Sequence, residues 1–189
     1  ICDTGVKHEL ASSAYNERRQ QCEQAVKIVQ EQNHGIRSLR DMTLADFENH
    51  QDRLPEPLRR RARHVVSENE RTLSAVAALK RGDVDRLGEM MNLSHESLRD
   101  DYEVSCRELD LMVELARQQQ GVTGARMMGG GFGGSTVNLV PRDSFNEFRR
   151  AVSEGYQRGT GLLPTVIAVE ADDGVGEISW HSGRIDSRT

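Results

Sequence analysis

Five of the six residues from Gly129 to Gly134 are glycine, and this run constrains the possible folds more than any other part of the sequence. Residues 125–128 before it and 135–140 after it carry apolar and β-branched side chains, and the second segment alternates as strands do. We therefore predict a strand on each side of the run. Glycine permits positive φ and a close approach of another backbone, and successive free N–H groups can bind an anion.

The residues alone leave two interpretations of this run open: a tightly bulged connection between strands, or a loop that binds or supports phosphate. No Lys-Ser or Lys-Thr pair follows Gly134, so the run is not a Walker loop. A strand is predicted after it, whereas a dinucleotide-binding fingerprint would open a helix. A simple turn needs only one or two glycines, so the surplus predicts that another backbone packs close to Gly131.

The first 120 residues show helical periodicity instead. Thr43 and Asp46 form a capping-box pattern ahead of a short helix, and Asp83 is a suitable N-cap for a long one. The predicted helices cover residues 9–32, a short segment after Thr43, 57–80, a segment from Val84 through Leu98, 107–119, and a segment after Asp143 or Ser144 that carries Phe145, Phe148 and Val152. Thr165–Val169 is predicted as a buried strand and Gly176–Trp180 as a possible edge strand.

The apolar spacing also predicts which helix faces are buried. In the 57–80 helix the predicted core positions are Leu58, Ala62, Val65, Val66, Leu73 and Val76. Most of the arginines between them, at 59, 60, 61 and 63, are predicted to point to water. In the next helices the predicted core positions are Val84, Leu87, Met91 and Leu98, then Leu109, Met112, Val113 and Ala116.

Helices come first in this order, and a β-α-β segment follows. We therefore predict an α+β fold in which helices pack on one face of a small, mainly antiparallel sheet. No repeat and no linker divides residues 1–189 into two domains. The chain opens at Ile1 within a predicted strand, which leads us to expect a fragment of a longer protein.

Composition narrows the function classes. A formal net charge of -5 gives no electrostatic reason to bind nucleic acid or an anionic membrane. Cys2, Cys22 and Cys106 form no CxxC pattern, so we predict neither a zinc site nor a disulfide framework. No apolar run approaches the roughly 18 residues needed to span a bilayer. These features predict a cytoplasmic protein without a resident metal in this chain.

Three segments together resemble the galactokinases, a family of the GHMP kinase superfamily. The segment 124–135 resembles the third motif of that family, and 3–19 resembles its segment just after the N-terminal domain. Ser94-His95 with 98–105 supplies a third match, and the three lie in family order. Met128 stands where the family usually has Thr or Ser, and Ser135 replaces a frequent Cys. Other GHMP kinases share a similar glycine loop but not the segment around Tyr15.

The resemblance implies that residues 1–189 are a GHMP kinase C-terminal domain, ferredoxin-like in fold, and that the N-terminal catalytic domain is absent from this chain. The family moves the γ-phosphoryl group of ATP, with Mg²⁺, onto the 1-hydroxyl of α-D-galactose. The N-terminal half of the family holds the phosphate loop, the catalytic carboxylate with its arginine partner and most sugar contacts. ATP and Mg²⁺ are therefore also bound mainly by that half. We accordingly name no catalytic residue here and expect the isolated chain to be inactive.

Site residues carry over from the resemblance at only two places. The helical stripe alone favours a core aromatic at Tyr15. The flanking match reverses that preference, because Tyr15 matches the family tyrosine whose hydroxyl faces galactose. The loop glycines match the loop that packs against the nucleotide-phosphate loop of the other half; they are Gly129, Gly130, Gly131, Gly133 and Gly134. His95 is interpreted as a structural helix residue, and Asp100 with Asp101 as a loop and helix cap.

Two other functions stay open at this point. A galactokinase-like protein can act as a non-enzymatic sensor of galactose and ATP that binds a transcriptional regulator. A stand-alone α+β binding domain with the glycine run as its site is the third possibility. The sequence upstream of Ile1 would discriminate among them.

Overall fold

A computed structural model of the protein describes residues 1–7, 11–171, 179–181 and 184–186. The elements in chain order are β1 Cys2–Lys7, α1 Ala11–Gln30, α2 Leu44–His50, α3 Leu58–Arg81, α4 Val84–Asp100, α5 Arg107–Arg117, β2 Gly124–Met127, β3 Gly133–Leu139, α6 Phe145–Thr160, β4 Thr165–Val166, β5 Ser179–His181 and β6 Arg184–Asp186. None of the helices in these ranges has both the length and the apolar character needed to cross a membrane.

The strands form a four-stranded sheet in the order β2-β3-β1-β4, with every neighbouring pair antiparallel. The opening strand β1 lies in its interior, where Cys2 faces Thr136 of β3 and Val166 of β4. The β1–β3 register shifts after Asp3, so that Lys7 pairs with Gly133. Strands β5 and β6 pair separately. The predicted helix-rich α+β fold with a small antiparallel sheet is confirmed.

Two main clusters of buried apolar side chains pack the helices against one another and against the sheet. The first joins α1, α2 and the N-terminal half of α3 through residues such as Val29, Phe47 and Val66. The second packs α5 and α6 against the sheet; its members are Cys2, Met112, Val113, Ala116, Ala125, Phe148, Val152 and Tyr156. All four core positions predicted for α5 are buried. A helical layer thus covers the sheet that carries the glycine run.

Local signals in the sequence placed the helix starts correctly. The Thr43 hydroxyl accepts a hydrogen bond from the Asp46 N–H at 3.1 Å, and the Asp46 carboxylate accepts the Thr43 N–H in return. Asp83 caps α4 by accepting the Arg86 N–H at 3.0 Å. These bonds satisfy backbone donors that the first turn of a helix leaves unpaired.

Several predicted burial positions are wrong. On α3 Leu73 is 65% exposed and Val76 is exposed too, although Ala78 farther along the same helix is fully buried. On α4 Val84 is exposed, and Met90 is buried in place of Met91. An apolar stripe in the sequence shows which positions could be buried but not which of them a neighbouring element covers.

The last predicted strands are also corrected. Strand β4 is only two residues long, since it pairs with just Cys2 and Asp3 of β1 at the edge of the sheet. Ile167 and Val169, which were predicted to be buried, are exposed. Of the predicted edge strand at 176–180, residues 176–178 lie outside the described part of the chain, while Ser179 and Trp180 belong to β5.

Among the α3 arginines at 59, 60, 61 and 63, most of which were predicted to point to water, Arg61 is the exception, because its side chain is only 2% exposed. Its Nε donates to Gln21 Oε1 at 2.8 Å, and its two terminal nitrogens bond the Asp101 carbonyl and the Glu103 carboxylate. An arginine can be buried when its planar fork of donors meets acceptors of this kind. Arg61 therefore fastens the segment that follows α4 to α3.

We predict that Arg61→Met lowers the free energy of unfolding by about 3 kcal/mol, near the low end for breaking a buried ion pair because Glu103 is 39% exposed. The matched control is Arg59→Met on the same helix, which removes only a surface pair with Glu56 and should cost less than about 1 kcal/mol. Urea unfolding followed by circular dichroism measures both. Equal losses in the two variants would contradict the special place of Arg61.

Candidate functional site

The glycine run connects β2 to β3, as predicted, and its backbone depends on glycine. Gly129, Gly131, Gly133 and Gly134 have φ values of 76°, 85°, 113° and 87°. Phe132 also has a positive φ, 59°, which is costly for a bulky residue. The ladder reaches Met127 opposite Thr136 before the connection begins. The loop is therefore a shaped turn in the left-handed region and not a slack linker.

Gly131 is required by the fold of this chain itself. A Cβ at this position would lie 2.1 Å from the carbonyl oxygen of Val104. The same oxygen accepts a hydrogen bond from the Phe132 N–H at 2.8 Å. The sequence correctly predicted a close backbone approach at Gly131, but the backbone that approaches belongs to this chain and not, as the family resemblance implied, to the other half. The approaching backbone is the segment that follows α4, nearly thirty residues earlier in the chain. No local sequence pattern predicts this contact.

The rest of the loop is open. A Cβ at Gly129, Gly130 or Gly134 would have no atom within 4 Å. Within the described ranges, the N–H groups of Gly129, Gly130 and Gly131 have no hydrogen-bond partner. These positions border a cleft of about 490 Å³ that lies between the loop and the start of β1. Free N–H groups beside an open cleft can donate hydrogen bonds to an anionic group or to the carbonyls of a second backbone.

The other wall of this cleft is the irregular part of β1. Asp3 accepts the Gly5 N–H at 2.7 Å with one carboxylate oxygen and the Ser135 hydroxyl at 2.9 Å with the other. Gly5 has a φ of 69° and lines the cleft. The buried Thr4 hydroxyl donates to the Gly134 carbonyl at 2.6 Å. No role beside the glycine loop was predicted for Asp3 or Thr4, although an Asp two residues before a glycine is a turn signal in the sequence.

The segment Tyr102–Val104, called here the 102–104 segment, links this loop to α1 and α3. Arg18 of α1 donates to the Tyr102 carbonyl at 2.7 Å and to the Glu103 carbonyl at 3.1 Å. The Arg61 guanidinium, followed by that of Arg60, holds the pKa of the Glu103 carboxyl below its usual range, against the opposing effect of partial burial. These cations hold the 102–104 segment in place, and the Val104 carbonyl is the group that meets the glycine loop.

A buried histidine supports the same segment. The His64 ring stacks on Tyr102 with 4.5 Å between ring centroids. Its Nδ1 lies 3.0 Å from the Ser97 hydroxyl, which donates to the Asp101 carboxylate at 3.0 Å. Burial lowers the pKa of His64 to about 4, so the ring is neutral at pH 7. Neutral His64 therefore packs here as part of the core.

His95 acts on the other end of the loop. It is 1% exposed, and its Nδ1 accepts the Met127 N–H at 3.3 Å, just before the glycine run. Its Nε2 lies 3.3 Å from the Asp110 carboxylate. The interpretation of His95 as a structural residue agrees with this position, and Asp100 and Asp101 do end α4. Within the described ranges no three His, Cys, Asp or Glu side chains converge as metal ligands.

Tyr15 lies on α1, one turn before Arg18, and is 58% exposed. It does not line the glycine cleft; it lines a separate cavity together with Tyr102. In the described structure Tyr15 is therefore not a core aromatic, and its hydroxyl is free to meet another molecule or domain. The two predicted sites open on different cavities but share the 102–104 segment as support.

We predict opposite outcomes for two neighbouring glycines. Gly131→Ala should lower the free energy of unfolding by at least about 2 kcal/mol, because a left-handed φ and a backbone clash coincide. Gly130→Ala, with open space around its Cβ, should change it by no more than about 0.5 kcal/mol. Thermal and urea unfolding of the purified chain measure both. A tolerated Gly131→Ala would contradict the packing of Val104 against the loop.

The family model and the individual relatives that this chain matches agree with one another. Residues 75–158 match the family model described as GHMP kinases C terminal. The galactokinase of Roseiflexus sp. (strain RS-1) is 48% identical over 178 residues, which cover 94% of this chain and 46% of that protein. The galactokinase of Chloroflexus aurantiacus is 50% identical over 173 residues, or 90% of this chain and 44% of that protein.

A solved structure agrees with these relatives. The structure of Lactococcus lactis galactokinase complexed with galactose matches with a TM-score of 0.83 and 41% identity, over 87% of this chain and 42% of that one. The chain thus spans a little under half the length of the proteins it matches. By sequence and by fold, the chain is similar to part of the galactokinases, and residues 75–158 match the C-terminal region of the GHMP kinases.

Proposed function

We propose that this chain works as the C-terminal domain of a galactokinase, a protein that transfers the γ-phosphoryl group of ATP to the 1-hydroxyl of α-D-galactose. The observation that carries the proposal is 48% identity to a galactokinase along 94% of the chain. The galactose complex of the similar Lactococcus lactis protein supports the choice of sugar. The relatives are named galactokinases, so we prefer an enzyme to a non-enzymatic sensor. We also propose a cytoplasmic location, which the cysteine pattern of the sequence favours.

In this proposal the chemistry is divided between two domains. An N-terminal domain supplies the phosphate loop, the catalytic carboxylate and most contacts to ATP and Mg²⁺. Residues 1–189 form the second domain, which closes the site from its own side. Phosphoryl transfer depends mainly on positioning and on neutralising charge, so a domain that holds loops in fixed places contributes without a catalytic side chain of its own.

Tyr15 is the proposed galactose contact of this domain. Its exposure leaves the hydroxyl available for a hydrogen bond to a sugar hydroxyl. Helix α1 is fixed one turn later by the two bonds from Arg18 to backbone carbonyls. The tyrosine is thus carried by an anchored helix, which favours a reproducible position for the sugar.

The glycine loop is the proposed support for ATP. Gly129, Gly130 and Gly134 leave open space for the nucleotide-phosphate loop of the N-terminal domain, and all three line the same cleft. Gly131 and Phe132 instead hold the loop against Val104. Gly131 therefore fixes the loop, whereas Gly129, Gly130 and Gly134 leave room for the partner domain.

The direct test is a fusion of the N-terminal half of the Roseiflexus galactokinase to residues 1–189, followed by an assay for galactose 1-phosphate with ATP and Mg²⁺. We expect the fusion to form product and the chain alone to form none above background. Circular dichroism and gel filtration establish that the fusion is folded. A folded fusion that fails to phosphorylate galactose, or a chain that succeeds alone, would contradict the proposal.

Two variants of the active fusion separate the proposed roles. Tyr15→Phe removes one hydrogen bond, worth about 0.5–1.5 kcal/mol, and should lower kcat/KM for galactose several-fold while the KM for ATP stays the same. Gly130→Val should raise the KM for ATP and leave galactose use nearly unchanged. Unchanged galactose kinetics in Tyr15→Phe would remove the sugar role from this residue.

A further inference from the structure

A cavity of about 760 Å³ opens between α1, α3 and the turn Leu39–Asp41. Its volume falls in the range of small-molecule sites, about 300–1,000 Å³. Neither the fold nor the proposed kinase function uses most of it. Only Tyr15, at one end, has a role in the proposed reaction.

Basic side chains dominate the charged part of the cavity lining. Arg19, Lys27, Arg37 and Arg40 line it together with a single carboxylate, that of Glu23. This concentration of positive charge stands against a net charge of -5 for the whole chain. Clustered like charges repel one another, so a cavity lined in this way favours an anion.

The cations are largely unengaged. Glu23 pairs with Arg19 at 2.9 Å. Asp41 lies near Arg37, but its carboxylate accepts the backbone N–H groups of Arg37 and Ser38 and the Ser38 hydroxyl. Among the described residues, the side chains of Lys27 and Arg40 form no ion pair or hydrogen bond. At least two cations are therefore available to a ligand.

The deeper lining has a different character. Val26 and Leu39 are buried core residues that also face the cavity, and Val65 and Cys22 join them. The Asn69 amide lines the same space, and its buried Nδ2 has no hydrogen-bond partner within the described ranges. The cavity therefore joins exposed cations to an apolar wall.

We propose that this cavity binds a small organic anion with an apolar body, such as a carboxylate or a phosphate monoester. Lys27 and Arg40 contact the charged group, while Val26 and Val65 contact the body. The sugar of the proposed reaction is neutral and carries no charge for Lys27 and Arg40 to neutralise. Lys27 also lies about 18 Å along α1 from Tyr15, at 1.5 Å per residue, so the site goes beyond the proposed kinase function.

Calorimetric titration of the purified chain tests the proposal with three probes of one shape: 2-naphthoate, 2-naphthyl phosphate and the neutral 2-naphthylmethanol. We expect at least one anion to bind at least tenfold more tightly than the alcohol, and the comparison of the two anions identifies the preferred charged group. Equal affinity for the alcohol, or no binding of either anion at millimolar concentration, would overturn the proposal.

Matched double variants locate the binding. Lys27→Gln with Arg40→Gln should weaken the preferred anion at least tenfold. Lys80→Gln with Arg81→Gln makes the same change in net charge on exposed residues outside the cavity and should leave affinity unchanged. Equal weakening by both pairs would mean attraction by overall charge alone. Loss of binding in the active fusion would show that the other domain covers this face, and would likewise overturn the assignment.

Discussion

The pairing of Glu103 with Arg60 and Arg61 is the interaction on which the arrangement of both predicted sites depends. It is formed between the chain that leaves α4 and the N-terminal half of α3. Hydrogen bonds to three acceptors offset the cost of burying the Arg61 guanidinium. Arg18 of α1 adds two hydrogen bonds to the backbone carbonyls of Tyr102 and Glu103. The 102–104 segment is thereby fixed between two helices before it meets the glycine loop. Its last carbonyl, that of Val104, then determines where Gly131 and Phe132 lie.

This arrangement gives two separated sites a common support. Tyr15 stands one turn from Arg18 on α1, and the open glycines stand next to the residues that Val104 holds. A kinase must keep its sugar and its nucleotide at a fixed spacing, because a small misplacement of reacting groups slows the reaction greatly. In the proposed two-domain enzyme, the 102–104 segment would contribute to that spacing from the side of this chain.

The sequence predicted what local chemistry determines. The capping residues Thr43 and Asp83, the strands beside the glycine run and the buried face of α5 follow from patterns within a few residues. The burial of Arg61 and the clash at Gly131 could not be predicted, because each depends on a partner nearly thirty residues or more away in the chain. The exposure of Leu73 also could not be predicted, because it depends on which part of the α3 surface the neighbouring elements cover. For Tyr15 and the glycine loop, the resemblance to a family supplied roles that spacing alone did not.

Amide hydrogen exchange at Phe132 tests most directly whether the 102–104 segment positions the glycine loop. The variant Glu103→Asn tolerates the left-handed φ of 53° but is too short to reach both arginines. We predict that the Phe132 N–H, bonded to Val104 at 2.8 Å, exchanges at least tenfold faster in this variant. The Val137 N–H within the β2–β3 ladder should keep its protection. Equal protection of Phe132 in both proteins would contradict the account, because the loop would then hold its place without the ion pairs of Glu103.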